Sequence, residues 1–307
     1  MRIVRRHAAR SGTAIAVGSF DGVHLGHQAM LAAVRDAAAS RSLVPAALTF
    51  EPLPREYFAG REAPPRLSSL AEKLSLLSRS GIGEAFVERF DARFAAIPAP
   101  AFAGRLARHY GARWVIVGPD FRYGARRQGD VESLRAAGKA HGFEVEVMAP
   151  VMLDGARVSS TRVREALAAA RFGEAARLLG RPYAICGRVL HGAKRGRAMG
   201  FPTANVRLAR PRAPLCGIFA VRCSTAATRG LEGVASLGSN PALGPGGPET
   251  LEAFLFDFSG DLYGERLSIE FVEKLREEAA FASLEALAAQ IARDCDAARA
   301  LFRAPRT

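Results

Sequence analysis

Hydrophobic positions in the first half of the chain alternate between short continuous runs and helical periodicity. Apolar runs at 13–18 and 43–50 predict buried strands, with a helix at about 27–40 between them. The alternation continues with helices predicted near 69–80, 99–110 and 131–141, and strands near 85–88, 114–118 and 143–148. Repeated strand–helix–strand units of this length predict an α/β fold, a parallel sheet covered by helices on both faces.

The pattern changes at Gly180-Arg-Pro182, after two more predicted helices at 161–170 and 174–179. Beyond this point, short β-rich runs alternate with Gly- and Pro-rich turns, which predicts a small antiparallel β-barrel. Its strands are expected at 183–190, 217–223, 233–237, 251–258 and 266–272, and an amphipathic helix at 283–302 closes the chain. We therefore expect two domains, 1–180 and 181–307.

Composition is that of a soluble globular protein, with 307 residues, 49% hydrophobic and 24% charged. No apolar run reaches 18 residues, and the basic start of the chain lacks the apolar core of a signal peptide, so we expect a cytoplasmic protein. The four cysteines form no CxxC pair and have no histidine at zinc spacing, which favours free thiols over a metal site.

A net charge of +13 raises the question of a nucleic-acid partner. The basic residues are mostly arginines spread along the whole chain, so we expect no dedicated nucleic-acid surface, and part of the surplus suits anionic substrates such as nucleotides. The alternative is a basic binding protein with vestigial sites. Retention on RNA at high salt, without turnover of small substrates, would favour it.

The stretch VGSFDGVHLGH at 17–27 predicts a phosphate site. A strand ends at Gly18, a glycine-rich turn follows, and a helix begins near Gly26. This arrangement points free backbone N–H groups and the positive end of a helix dipole at one place, and glycines let an anion approach closely. His24 and His27 can donate to oxygens whose negative charge grows during displacement at phosphorus.

Two alternatives apply to these histidines. One could be a turn residue and the other a helix cap. A zinc site is weaker, because no third ligand is in evidence and we expect histidines three apart across a helix start to point their rings away from each other. The HxGH spacing is similar to the signature of nucleotidylyl transferases and of class I aminoacyl-tRNA synthetases, and alone it does not separate the two.

Two further stretches carry polar residues. GPDFRYG at 118–124 follows a predicted strand and places Asp120 at the carboxyl edge of the sheet, although Asp120 could simply form a turn. SSTRVR at 159–164 offers hydroxyls at a helix start, with Arg162 or Arg164 available for triphosphate oxygens. An ordinary helix cap beside solvated arginines is the alternative there.

In this order, GxFDGxHxGH, GxDFxxG and SSTxxR resemble the adenylyltransferase half of bacterial bifunctional riboflavin kinase/FAD synthetases, over nearly all of residues 13–170. The resemblance implies a Rossmann-like nucleotidylyltransferase domain with a parallel sheet, in which His24 and His27 are catalytic. It implies nucleotide-binding roles for Gly18, Phe20, Asp21, Gly26, Asp120, Ser160, Thr161 and Arg164.

In the second half, HGAKRGRAMGFPTAN at 191–205 is not a Walker loop, because GxxxxGK[ST] is absent. Its glycines still give a pliable loop, and its basic residues supply charge for phosphate. Thr203 and Asn205 present two oxygens one residue apart, which suit Mg²⁺; a turn beside an exposed basic loop is the alternative. Glu252 lies in an apolar strand and could accept a proton from an attacking hydroxyl, or simply face solvent.

GRPYAICGRVLHG, GRAMGFPTANV, GIFAV, GVASLGSNP and LEAFLFDFSGDLYGERL resemble the riboflavin kinase pattern over 180–275, with PTAN the most diagnostic element. The resemblance implies a riboflavin kinase-like barrel with Thr203 and Asn205 at a Mg²⁺–ATP site and Glu252 as general base toward the ribityl 5′-hydroxyl. It also implies nucleotide contacts from Gly192, Lys194, Arg197 and Phe201. Ala242 and the Gly/Pro-rich segment 244–248 depart from the family pattern near the flavin, and Met199 replaces Leu with little change in volume.

The function implied by the resemblance is two-step cofactor synthesis: ATP phosphorylates riboflavin to FMN, and a second ATP adenylylates FMN to FAD with release of pyrophosphate. An enzyme of the same fold with another phosphorylated acceptor is the alternative, against which PTAN and the barrel argue. The expected partners are riboflavin, FMN and ATP, without nucleic acid or membrane, in a monomer or weak homo-oligomer.

Overall fold

The computed structural model describes residues 1–5, 9, 11–191, 200–239 and 249–304. The chain divides into two compact units, the first made of Met1–Pro64 and Leu70–Ser160, and the second of Pro65–Ser69 and Thr161–Thr307. The predicted division into domains 1–180 and 181–307 stays a prediction.

The first unit is built on a six-stranded sheet in which every pairing is parallel. From one edge to the other its strands lie in the order β1, β4, β3, β2, β5, β6. This confirms the predicted α/β fold. The order reverses between β2 and β5, which is where folds of this type bind ligands, beyond the carboxyl ends of the strands. The strands are β1 Arg2–Val4, β2 Thr13–Val17, β3 Val44–Glu51, β4 Glu84–Arg89, β5 Ala112–Val117 and β6 Glu144–Val147.

Helices cover both faces of this sheet. On β2, Ile15 and Val17 pack into one buried cluster, while Ala14 and Ala16 pack into another. A strand buried on both faces reads as a continuous apolar run, which is why the sequence predicts it well. The helices are α1 Leu25–Arg41, α2 Pro54–Ala59, α3 Leu70–Arg79, α4 Ala92–Ala95, α5 Ala99–Arg108 and α6 Val131–His141, and a hairpin follows, β7 Met152–Leu153 with β8 Ala156–Arg157.

The second unit contains a closed barrel of six antiparallel strands, as predicted. Helix α7 begins with Ser160, the last residue of the first unit. In the part of the chain described, no helix is both long and apolar enough to cross a membrane. The elements are α7 Ser160–Ala168, α8 Phe172–Leu179, β9 Ala184–Leu190, β10 Thr203–Val206, β11 Gly217–Ser224, β12 Leu231–Ser239, β13 Glu249–Leu255, β14 Arg266–Arg276 and α9 Leu284–Arg303.

Sequence patterns miss the shortest elements. Strand β1 has three residues, with Ile3 half-exposed, and exists because it pairs with β4. Strand β10, which the sequence suggests is a loop, pairs with both β9 and β13 and closes the barrel. In both cases pairing with neighbouring strands defines the strand. The hydrophobic pattern of four residues or fewer is too short to predict it.

Candidate active sites

The turn between β2 and α1, residues 18–24, has an unusual backbone. Gly22 has φ 80°, and two residues with side chains also have positive φ, Phe20 at 48° and Val23 at 42°. A β-branched residue in the left-handed region is strained and persists only where its surroundings fix it. Burial fixes Phe20, which is 0% exposed, and the Gln28 side-chain amide donates to the Val23 carbonyl at 2.9 Å.

His24 is the N-cap of α1, and its Nδ1 accepts a long hydrogen bond of 3.4 Å from the backbone N–H of His27. Accepting at Nδ1 leaves the proton of the neutral ring on Nε2. The two imidazoles stack, with ring centroids 3.7 Å apart and planes 17° from parallel. The expectation that the rings point apart is therefore wrong: the extended backbone of the cap residue returns the His24 ring over the first turn of the helix.

His27 has a buried Nδ1 that makes no hydrogen bond with the described residues. Burial lowers the pKa of its imidazole well below the ordinary value, and the charges of His24 and Lys73 lower it further. Near pH 7 the ring is therefore neutral and retains one N–H donor. Within the described residues, no three His, Cys, Asp or Glu side chains are placed to hold a metal ion.

Glycines leave room for the rings of this turn. A Cβ on Gly26 would lie 3.2 Å from two atoms of the His24 ring, and one on Gly18 would lie 3.3 Å from the Phe20 ring. The sequence assigns these glycines to the close approach of a phosphate. The structure places protein rings against them, so they determine where the histidine and the phenylalanine can lie.

The other candidates of the first half lie at varied depth. Asp21 is 3% exposed, and its backbone carbonyl accepts from the Ser160 hydroxyl at 2.9 Å. Asp120, after β5, is largely exposed and pairs with Arg157. Thr161 and Arg164 belong to the second unit, where Arg164 Nε donates to the Pro65 carbonyl at 2.6 Å. Their approach to nucleotide stays a prediction.

A cavity of about 610 Å³ opens in the first unit at the carboxyl ends of the strands. It begins at Val17, the last residue of β2, and seven of its eighteen lining residues are aromatic. Four arginines also line it: Arg55, Arg122, Arg126 and Arg127. The cavity suits a large planar ring that carries polar or anionic groups. Its aromatic lining is Phe50, Phe58, Phe90, Phe94, Phe102, Phe121 and Tyr123.

In the barrel, three predicted residues meet on one side of two strands. Asn205 on β10 lies directly opposite Glu252 on β13, and the Thr203 hydroxyl donates to Glu252 Oε2 at 3.2 Å. Leu251 and Ala253 are buried, so alternation places Glu252 on the other face of the sheet. Thr203 and Asn205 also line a cavity of about 120 Å³. Oxygen donors thus converge beside a carboxylate.

The remaining candidates of the second half are placed less directly. Phe201 packs edge-on against Phe254, with ring centroids 5.5 Å apart, in a cluster that includes residues of α9. That contact gives it a packing role, and its contact with nucleotide stays a prediction. The predicted positions Gly192, Lys194 and Arg197, together with Met199, Ala242 and 244–248, lie outside the described residues.

Comparison with known proteins shows the family to which this chain belongs. A family model described as FAD synthetase matches residues 6–162, and one described as riboflavin kinase matches 179–302. A protein of Pseudomonas fluorescens is 46% identical over 291 residues, 94% of this chain and 93% of its own; one of Haemophilus influenzae is 43% identical over 292 residues, 95% and 94%. Both are named bifunctional riboflavin kinase/FMN adenylyltransferase. The chain belongs to this family.

A solved structure shares the fold over the full length. A crystal structure described as a macrolide-efflux protein of Streptococcus pneumoniae has a TM-score of 0.79 and 28% identity, and the match covers 97% of this chain and 99% of that one. The likeness therefore extends over both halves of the bifunctional riboflavin kinase/FMN adenylyltransferase family member described here.

The two family matches separate most of the predicted site residues, and Arg164 lies between them. His24, His27 and Asp120 fall in the FAD synthetase match, and Thr203, Asn205 and Glu252 fall in the riboflavin kinase match. The aromatic cavity lies wholly within the first match, and sequence reasoning missed it. Its residues come from several separate segments of the chain. From the sequence alone, an aromatic residue that lines a cavity cannot be distinguished from one that packs in the core. The sequence positions of these residues were the available signal, since Phe50 is the penultimate residue of β3 and Phe90 and Phe121 follow the ends of β4 and β5.

Proposed function

We propose that this chain makes FAD from riboflavin in two steps at two separate sites. The barrel transfers the γ-phosphoryl group of ATP to riboflavin and forms FMN, and the α/β unit then transfers AMP from a second ATP to FMN and forms FAD. The observation that supports the proposal is that each family match contains its own group of converging polar side chains, a histidine pair in one and a Thr–Asn–Glu group in the other.

In the kinase step, the ribityl 5′-hydroxyl attacks the γ-phosphorus and ADP leaves. The attacking hydroxyl must lose its proton, and Glu252 is the carboxylate placed to accept it. Its Oε2 holds the Thr203 hydroxyl, which orients both groups. Thr203 and Asn205 are hard oxygen donors of the kind that bind Mg²⁺ together with phosphates and water. The bound ion would neutralise phosphate charge.

In the adenylyl step, a phosphate oxygen of FMN attacks the α-phosphorus of ATP and pyrophosphate leaves. The attacking phosphate is already ionised, so no base is required. What the step needs is hydrogen-bond donation to oxygens that gain negative charge. His24 and the neutral ring of His27 supply N–H donors at the start of α1, where the helix dipole also favours an anion.

The aromatic cavity is the proposed place of the flavin ring in the adenylyl step. Its volume of about 610 Å³ and its aromatic walls fit a planar tricyclic ring. Val17 lines the cavity and directly precedes the turn that carries the histidines. A flavin bound there would extend its phosphate toward that turn, which the reaction requires.

Separation of the flavins after incubation with ATP and Mg²⁺ tests the division of labour. His27→Ala should abolish FAD formation from FMN and leave FMN formation from riboflavin intact. Glu252→Ala should abolish FMN formation and leave FAD formation from supplied FMN intact. His141→Ala, on α6, serves as the matched histidine control. If both variants reduce both activities equally in well-folded protein, the assignment is wrong.

The proposal also covers the setting of the reaction. We propose a cytoplasmic enzyme that uses Mg²⁺–ATP and acts as a monomer or weak homo-oligomer on small substrates. Sedimentation at micromolar concentration, with and without ATP and FMN, measures the assembly state. Replacement of Mg²⁺ by a chelator should stop both reactions, since each uses a nucleotide whose phosphate charge must be neutralised.

A further inference from the structure

Lys73, on helix α3, is among the most deeply buried side chains of the first unit, at 0% exposed. Lysines are almost never fully buried, because removing an ammonium group from water is costly unless polar groups receive it. Its Nζ donates to the Thr49 hydroxyl at 3.2 Å, and Thr49, on β3, is also 0% exposed. A buried cation therefore lies against the central part of the sheet.

The hydrogen bonds continue from Thr49 to the histidine turn. The Thr49 hydroxyl donates to the backbone carbonyl of Ser19 at 3.2 Å. Ser19 lies in the same turn as the strained residues Phe20 and Val23. The ammonium thus binds the Thr49 oxygen, and the Thr49 proton is directed onto the turn, an arrangement in which each bond strengthens the next.

The charge of Lys73 also reaches the catalytic ring. It is one of the causes that lower the pKa of His27, after burial and His24. Two further titratable groups lie in the same turn, His24, stacked on the ring, and Asp21, which is buried. In a low-dielectric interior a positive charge acts over a longer range than an exposed arginine does.

We propose that Lys73 is a positioning residue for adenylyl transfer: its buried ammonium holds the histidine turn through Thr49 and gives the phosphate site a fixed positive charge. This inference rests on the proposed function of the first unit. Lys73 acts on the reaction indirectly, by holding the histidine turn in place and through the electric field of its own charge. The substrate class that benefits is a nucleoside triphosphate whose leaving group is pyrophosphate, because negative charge accumulates there during the reaction.

Three variants test the role. Lys73→Met removes the charge with little change in shape, Thr49→Val removes only the hydroxyl link, and Leu77→Ala, fully buried on the same helix, is the packing control. Lys73→Met should lower kcat for FAD formation by about tenfold or more at saturating ATP and FMN. Thr49→Val should lower kcat by less. Leu77→Ala should lower thermal stability but leave kcat of the folded protein within about twofold.

A nuclear magnetic resonance titration of His27 gives a readout that needs no substrate, with His27→Gln used to assign the signal. Removing a neighbouring positive charge favours the protonated ring, so Lys73→Met should raise the pKa of His27. Thr49→Val and Leu77→Ala should leave that pKa unchanged. A loss of kcat in Lys73→Met with an unmoved His27 pKa, or unchanged kcat, would overturn the inference. If wild-type protein forms no FAD while the His27 shift is observed, the proposed function fails and the electrostatic contact stands.

Discussion

The histidine turn of the first unit and the Thr–Asn–Glu group of the barrel are built in different ways. The turn depends on left-handed backbone at Phe20 and Val23 and on stacked rings. The barrel group depends on ordinary strand register, with Asn205 opposite Glu252. Strained backbone places donors that must be aimed at one point, whereas register is sufficient to place a carboxylate beside two oxygen donors.

Under the proposed function, the difference follows from the protons in the two reactions. A hydroxyl nucleophile must lose a proton, so the kinase site contains a carboxylate beside a hydroxyl. A phosphate nucleophile has none to lose, so the proposed adenylyl site needs hydrogen-bond donors and no base. The burial that keeps His27 neutral is therefore compatible with the role proposed for the first site, which does not require a charged imidazole.

Gly26→Ala should produce the largest difference between the two activities, because it disturbs the first site alone. The new Cβ would lie 3.2 Å from two atoms of the His24 ring and displace the stacked pair. Misplacing an aimed group by a fraction of an ångström to one ångström costs up to about 100-fold in rate. FAD formation should fall by about that factor, and FMN formation should not change. Gly173→Ala, where a Cβ meets no atom within 4 Å, is the control, and equal losses in both would contradict the argument.

Phe58→Ala should have an intermediate effect that sharpens the assignment of the aromatic cavity. Phe58 lines the cavity and is 70% exposed, so its removal costs little stability. Loss of one stacking ring should raise KM for FMN by about tenfold in the adenylyl reaction with little change in kcat. Steady-state assays with varied FMN measure this split. A kcat effect without a KM effect would place the flavin elsewhere.

The pH dependence of stability should give the smallest effect. Because folding lowers the pKa of His27 below its ordinary value of 6.5, the unfolded chain binds more protons between those two values. The contribution of His27 to the free energy of unfolding is fully present above about pH 6.5. It should be lost as the pH falls toward the lower pKa of His27 in the folded protein. Urea unfolding at a series of pH values measures this, and His27→Gln should reduce the slope. An unchanged slope would show that His27 is not the titrating group.

The sequence predicts the architecture well, because strands buried on both faces and amphipathic helices each have a strong local pattern. It also selects His24, His27 and Glu252 as site candidates; the structure stacks the two imidazoles and pairs Glu252 with Thr203, and their catalytic roles stay predictions. It mispredicts the orientation of the two imidazoles, since that depends on the cap conformation of one residue. It misses β10 and the aromatic cavity, because both are defined by contacts between segments distant in the chain.

Strand register in the barrel limits how this gene can change in length. Inserting or deleting one residue within β10 would exchange the position of Asn205 for that of Val206 or Ala204, and the oxygen donors would turn toward the interior. Length variation among descendants of this protein should therefore be confined to the connections before Thr203 and after Val206. A library of single-codon insertions, selected for growth without added FMN, would show an uninterrupted gap over those four codons.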